Sequence, residues 1–184
     1  MSISIGSAKF VTAGLFIAVS GALFSAPATA AEQSRSFYQN AGANCHGISN
    51  VNDNRLVRTE QSLQNNTTTL ELDVVCNMMT DGYATFTPDF GTVTGVYLWA
   101  RRIAIRGDNT EMTCTMTTSF AGDPYTESFT QTITLAGNTT DQAYFAWFPP
   151  EGARFLAPIN IRCLLPRKTE LNDWLVEYVE DVGS

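Results

Sequence analysis

The chain has 184 residues, 44% of them hydrophobic and 16% charged, with eleven Lys and Arg against eighteen Asp and Glu and a net charge of −7. So acidic a chain lacks the basic footprint that neutralises phosphates, which argues against nucleic acid as a partner. Its length suits one core, and neither repeats nor low-complexity tracts divide it.

The first element is a targeting segment. Lys9 is the only charge before Glu32, and it precedes an apolar run, 10–24, that ends in Ser25, Pro27 and Ala28-Thr29-Ala30. A basic start, an apolar stretch of about 15 residues and an A-x-A ending make a secretory signal peptide. A spanning helix needs about 20 apolar residues, and this run is interrupted by Gly14, Ser20 and Gly21. Residues 1–30 are therefore expected to be removed, leaving 31–184 as a single secreted domain with no membrane anchor, in the periplasm or outside the cell. Loss of Lys9 leaves ten basic residues against eighteen acidic ones, a net charge of −8.

The remaining elements read as strands. Over 68–76, Leu70, Leu72, Val74 and Cys76 share one face while Glu71 and Asp73 share the other, the period of a half-buried strand. Further strands are expected over 96–105, 112–118, 127–135, 143–148, 159–164 and 174–180, from alternation and from β-branched and aromatic enrichment. No stretch has a 3.6-residue period. Arg106-Gly107-Asp108, a tripeptide that some cell-surface receptors read, falls between two of these strands. Gly107, Asp108 and Asn109 suit a hairpin turn, which explains the tripeptide without a receptor. Short strands separated by Gly, Asn, Asp and Pro clusters predict an antiparallel β-sandwich, with a jelly-roll-like arrangement or open barrel as the alternative.

Cys45, Cys76, Cys114 and Cys163 all follow the targeting segment, and an even count in an oxidising compartment predicts two disulfides. Three pairings are open. The sequential one closes two loops that do not overlap, each contributing about 4 kcal/mol through restriction of the unfolded chain. Zinc is disfavoured, because its sites usually pair ligands at C-x2-C spacing, and here 30, 37 and 48 residues separate successive cysteines.

The segments N-A-G-A-N-C-H-G, D-V-V-C, M-T-C-T-M and I-N-I-R-C-L-L-P, with the final W-L-V-E-Y-V-E, together resemble a group of small secreted bacterial proteins without assigned function. That group runs through a first cysteine, V-V-C-P, x-C-x-L, Y-x-x-x-C-x-L-P and a last strand containing tyrosine. Asn77 stands here where the group has proline. The resemblance implies a disulfide-braced β-sandwich and brings no catalytic residues. Local closure, supported by the group's spacing, makes Cys45 with Cys76 and Cys114 with Cys163 the expected bridges.

No reactive constellation stands out, and no catalytic, cofactor-binding or metal-ligating residue is assigned. His46 is the only histidine. It lacks a G-x-S-x-G partner, and Gly42 occupies the first cysteine's place in a haem-attachment C-x-x-C-H. Asp123, Glu127, Glu151, Glu177 and Glu180 offer carboxylates, but a glycosidase pair needs a separation that linear sequence does not supply. Asp53, Asp81, Asp89, Asp108 and Asp123 lie in expected loops without a D-x-D-x-D pattern for calcium. Asn65, Asn66 and Asn138 head N-x-[ST] sequons that read as polar turns.

Aromatic residues are the remaining recognition candidates. In a strand, Phe145 and Trp147 must face away from Tyr144 and Phe148. One pair then fills the core, and the other is expected to be covered by the following segment, 149–158, unless it stays open to stack on a sugar or anchor a protein. Tyr97 and Trp99 form a second same-face pair. These features predict a non-catalytic exported binding or structural module whose partner is a glycan or a cell-envelope protein. The alternative is a small secreted hydrolase that uses carboxylates.

Overall fold

The computed structural model describes residues 32–78, 93–120 and 125–181; the segment 1–30, expected to be a signal peptide, lies outside them. The described residues form an all-β, antiparallel fold with two four-residue helices. In chain order the elements are β1 (Glu32–Asn40), α1 (Ala41–Asn44), β2 (Cys45–Gly47), α2 (Asn50–Asp53), β3 (Leu56–Arg58), β4 (Leu63–Asn65) and β5 (Leu72–Met78). There follow β6 (Val93–Arg102), β7 (Thr110–Phe120), β8 (Thr126–Leu135), β9 (Gln142–Trp147), β10 (Phe155–Leu165) and β11 (Thr169–Asp181). Among the described residues, neither helix is long or apolar enough to cross a membrane.

Pairing arranges the strands as two layers. One runs β1-β11-β6-β9, with β4 and then β3 added where β11 begins, and the other runs β2-β5-β10-β7-β8. β10 joins them at one corner, where Phe155 pairs with Val93 of β6 and with Phe120 of β7 before a register shift sends the rest of the strand into the second layer. Opposite that corner β8 and β9 are tied by a side chain. Gln131 donates from Nε2 to Ala146 O at 2.6 Å and accepts from Ala146 N at 3.1 Å, and Trp147 Nε1 donates to Phe129 O at 3.1 Å. The result is a sandwich that nearly closes into a barrel.

Alternation decides what fills it. Leu72, Val74, Cys76 and Met78 on β5, Val96, Leu98 and Ala100 on β6, and Ile159, Ile161, Cys163 and Leu165 on β10 are all buried in one cluster. The bridges join directly opposed residues, Cys45 to Cys76 across β2 and β5 and Cys114 to Cys163 across β7 and β10, with Cα atoms 4.0 and 4.1 Å apart. These are the expected sequential pairs. Both are buried, so each crosslinks neighbouring strands beneath the core side of the second layer.

All seven expected strands are present. The stretch 68–71 is not part of its strand, which begins at Leu72. Another departure concerns the Arg106-Gly107-Asp108 turn. β6 and β7 do not pair with each other, so the turn links the two layers and is not the tip of a hairpin. Gly107 holds φ of 75°, a conformation that glycine adopts without penalty. Asp108 O accepts from Arg102 Nη2 at 3.0 Å, and Arg106 N donates to Gly137 O at 3.0 Å. The backbone of the tripeptide is thus committed to the fold.

Candidate functional site

The outer face of the β1-β11-β6-β9 layer carries a group of aromatic residues that are not in the core. Phe145 and Trp147 point inward, stacked at 5.5 Å and 7° and fully packed. Tyr144 and Phe148 point outward and remain 56% and 57% exposed, so the segment 149–158 does not cover them as expected. Register then places the second pair beside the first: Trp99 lies opposite Tyr144 and Tyr97 opposite Ala146. Four rings meet in consequence.

Tyr97 is at the centre of the group. Its ring lies 5.9 Å from Trp99 at 19°, 5.6 Å from Phe148 at 84° and 6.3 Å from Tyr144 at 48°, while Trp99 and Tyr144 are 6.2 Å apart. Its hydroxyl donates to Glu177 Oε2 at 3.3 Å. Partial burial, and then the Glu177 charge, raise the Tyr97 hydroxyl above its ordinary value, so it stays a protonated donor. Gly95 makes room for this packing, since a Cβ there would meet Glu177 Oε2 at 3.0 Å, Tyr97 at 3.3 Å and Phe148 at 3.4 Å. Across β11 the same row continues through Leu175, which faces Tyr97, to the exposed Tyr38 of β1. Trp99 Nε1 and the Tyr144 hydroxyl donate no hydrogen bond among the described residues.

Beyond Trp99 the face turns polar. Arg101 is the next residue on that side of β6 and sits opposite Glu170 of β11. Glu170 is only 2% exposed. Its Oε2 accepts from Ser62 Oγ and Gln64 Nε2, both at 2.8 Å, and its Oε1 accepts from Arg101 Nε and, at 3.2 Å, from Asn172 Nδ2. Burial alone would raise this carboxyl. Hydrogen bonds from Arg101, Ser62 and Gln64, with the Arg101 charge, outweigh burial and hold it below the usual carboxylate range. An open pocket of about 290 Å³ adjoins this network, lined by Gln64, Arg101, Arg102, Ile103, Thr139 and Glu170.

The other candidates disperse. His46 is exposed on β2, beside a cysteine that is oxidised. Glu127 is on β8, Glu151 in the turn before β10 and Glu177 on β11, while Asp123 and the Glu180 side chain lie outside the described residues. Of the aspartates expected in loops, Asp53 instead closes α2 and is taken by Arg58 and by Gly47 N, and Asp81 and Asp89 are not described. No group of three or more His, Cys, Asp or Glu side chains able to hold a metal occurs among the described residues. Asn65 is buried, with its amide donating to Leu70 O and Leu165 O. Its sequon therefore marks a structural turn.

Neither the meeting of the four rings nor the polar pocket was legible in the sequence. Both depend on register between β6, β9 and β11, and the only cue was the shared side of Trp99 and Arg101 on one strand.

No protein-family model matches the chain. No curated protein matches it either. Among solved structures it is similar to the CBM22-2 xylan-binding domain from Paenibacillus barcinonensis, with 11% identity, a TM-score of 0.37, and coverage of 78% of this chain and 96% of the other. TmCBM61 in complex with β-1,4-galactotriose aligns at 10% identity and a TM-score of 0.34, over 80% and 88% of the two chains. The family 11 carbohydrate-binding module from Clostridium thermocellum, in complex with a β-1,3-1,4-mixed-linked tetrasaccharide, aligns at 10% identity and a TM-score of 0.30, over 88% and 92%. These overlaps are too loose to carry the fold or a ligand, both of which rest here on the molecule itself.

Proposed function

We propose that the protein is an exported, non-catalytic carbohydrate-binding module whose ligand lies along the outer face of β6 and β9. The observation that carries this reading is the uncovered group of Tyr97, Trp99, Tyr144 and Phe148, with Tyr144 and Phe148 more than half exposed. Contiguous apolar surface left open on a folded protein marks an interaction site. The C–H face of a pyranose is apolar and slightly positive, and it matches the negative face of an aromatic ring.

The surroundings favour a sugar over a purely apolar partner. Tyr97 Oη, Glu177, the free Tyr144 hydroxyl and the free Trp99 N–H ring the group with donors and an acceptor within reach of sugar hydroxyls. From Gly95 to Arg101 the strand runs about 20 Å at its ordinary rise, the length of a short oligosaccharide. Two buried disulfides suit an oxidising compartment, which agrees with the expected signal peptide and with work at the cell envelope or outside it.

Affinity electrophoresis in gels containing soluble polysaccharides tests the proposal. Retardation by at least one polysaccharide is expected, and Tyr144→Ala, an exposed position, should weaken it severalfold with the melting temperature unchanged. Retardation equal in the variant and the parent would place the ligand elsewhere.

A further inference from the structure

The pocket at the end of the aromatic row has a chemistry of its own. Its uncommitted groups include several donors. Arg101 gives only Nε to Glu170, which leaves both terminal nitrogens for the pocket. Arg102, 2% exposed, lines the same space, spends Nη2 on Asp108 O, and has a buried Nε with no hydrogen-bond partner. The Thr139 hydroxyl donates no bond among the described residues. Glu170, the only acid lining the pocket, already accepts four hydrogen bonds. The Arg101 guanidinium thus sits beside a saturated carboxylate, and the buried Arg102, next along β6, lines the pocket with a charge that, among the described residues, no acid side chain hydrogen-bonded to it balances.

From this geometry we infer that the pocket is a subsite for a carboxylate, so that the glycan on the aromatic face is acidic and places a uronic acid residue beyond Trp99. The inference rests on the carbohydrate reading above. A sugar hydroxyl would leave the excess positive charge of the pocket unmatched, whereas a carboxylate accepts two parallel hydrogen bonds from a guanidinium fork. A sulfate ester on a sugar offers similar anionic oxygens, and the ligands of the test separate the two.

Calorimetric titration of the purified protein with three oligosaccharides of equal length decides the matter: a neutral one, an oligogalacturonate and a sulfated neutral one. The oligogalacturonate is expected to bind about tenfold tighter than the neutral sugar, the scale of one charge-assisted hydrogen bond. Arg101→Lys keeps a cation beside Glu170 but loses the fork. It should cut uronate affinity more than neutral affinity, as should Thr139→Val, which removes no hydrogen bond of the fold. Equal binding of neutral and uronate sugars would overturn the acidic subsite and leave the aromatic reading standing. Preference for the sulfated sugar would overturn the carboxylate assignment. Absence of binding to all three would overturn both readings, and an unchanged uronate preference in both variants, folded by their melting curves, would overturn this pocket as its origin.

Discussion

At the scale of single residues, Glu170 shows how a buried charge is made tolerable. A carboxylate taken from water and left unpaired would neutralise itself. Four donors from Ser62, Gln64, Arg101 and Asn172 keep it ionised, and all converge because β4, β6 and β11 meet at one register. Since its folded value lies below the unfolded one, its stabilisation is complete above the ordinary carboxylate value of about 4.3 and is lost as pH falls through the folded value. Glu170→Gln turns one acceptor into a donor that faces other donors. It is expected to cost about 1 to 3 kcal/mol at pH 7, and urea titrations at pH 7 and pH 3 should show the parent losing its advantage over the variant at the lower pH. A constant difference between the two would mean that the network does not depend on the charge.

At the scale of elements, sequence and structure agree where a strand is long and half-buried. Leu72, Val74 and Cys76 on β5 and Met112, Cys114 and Met116 on β7 alternate because one side meets the core, and that alternation is visible without coordinates. β1 is not visible in this way. Glu32–Asn40 is polar on both sides, and its one large inward ring, Phe37, packs against Trp174 at 6.3 Å. β2, β3 and β4 have three residues each, too few to display a period. In sequence the turn at Arg106-Gly107-Asp108 looks local although its neighbours pair elsewhere, because a β-turn has the same composition whether or not its flanking strands are partners. The side-chain tie between β8 and β9 is equally non-local. Gln131→Leu should therefore leave the strands intact but lower stability by about 1 to 2 kcal/mol through two lost hydrogen bonds and an unsatisfied Ala146. A urea midpoint equal to the parent's would show that the sandwich does not need this closure.

At the scale of the whole molecule, composition and periodicity fix which residues must face out but not which of them become neighbours. Tyr144 and Phe148 had to oppose Phe145 and Trp147 on any strand; that they adjoin Tyr97 and Trp99 follows from the β6 and β9 register alone. The central claim is that this shared face stacks on sugar. Tryptophan emission during titration with a bound oligosaccharide addresses it most directly, because two of the three tryptophans, Trp147 and Trp174, are buried and only Trp99 lies on the face. A saturable change in emission is expected, tracking the calorimetric isotherm, and Trp99→Phe should retain binding through its ring while the optical signal disappears. Saturable binding with unaltered emission in the parent, or the same emission change in Trp99→Phe, would contradict the account.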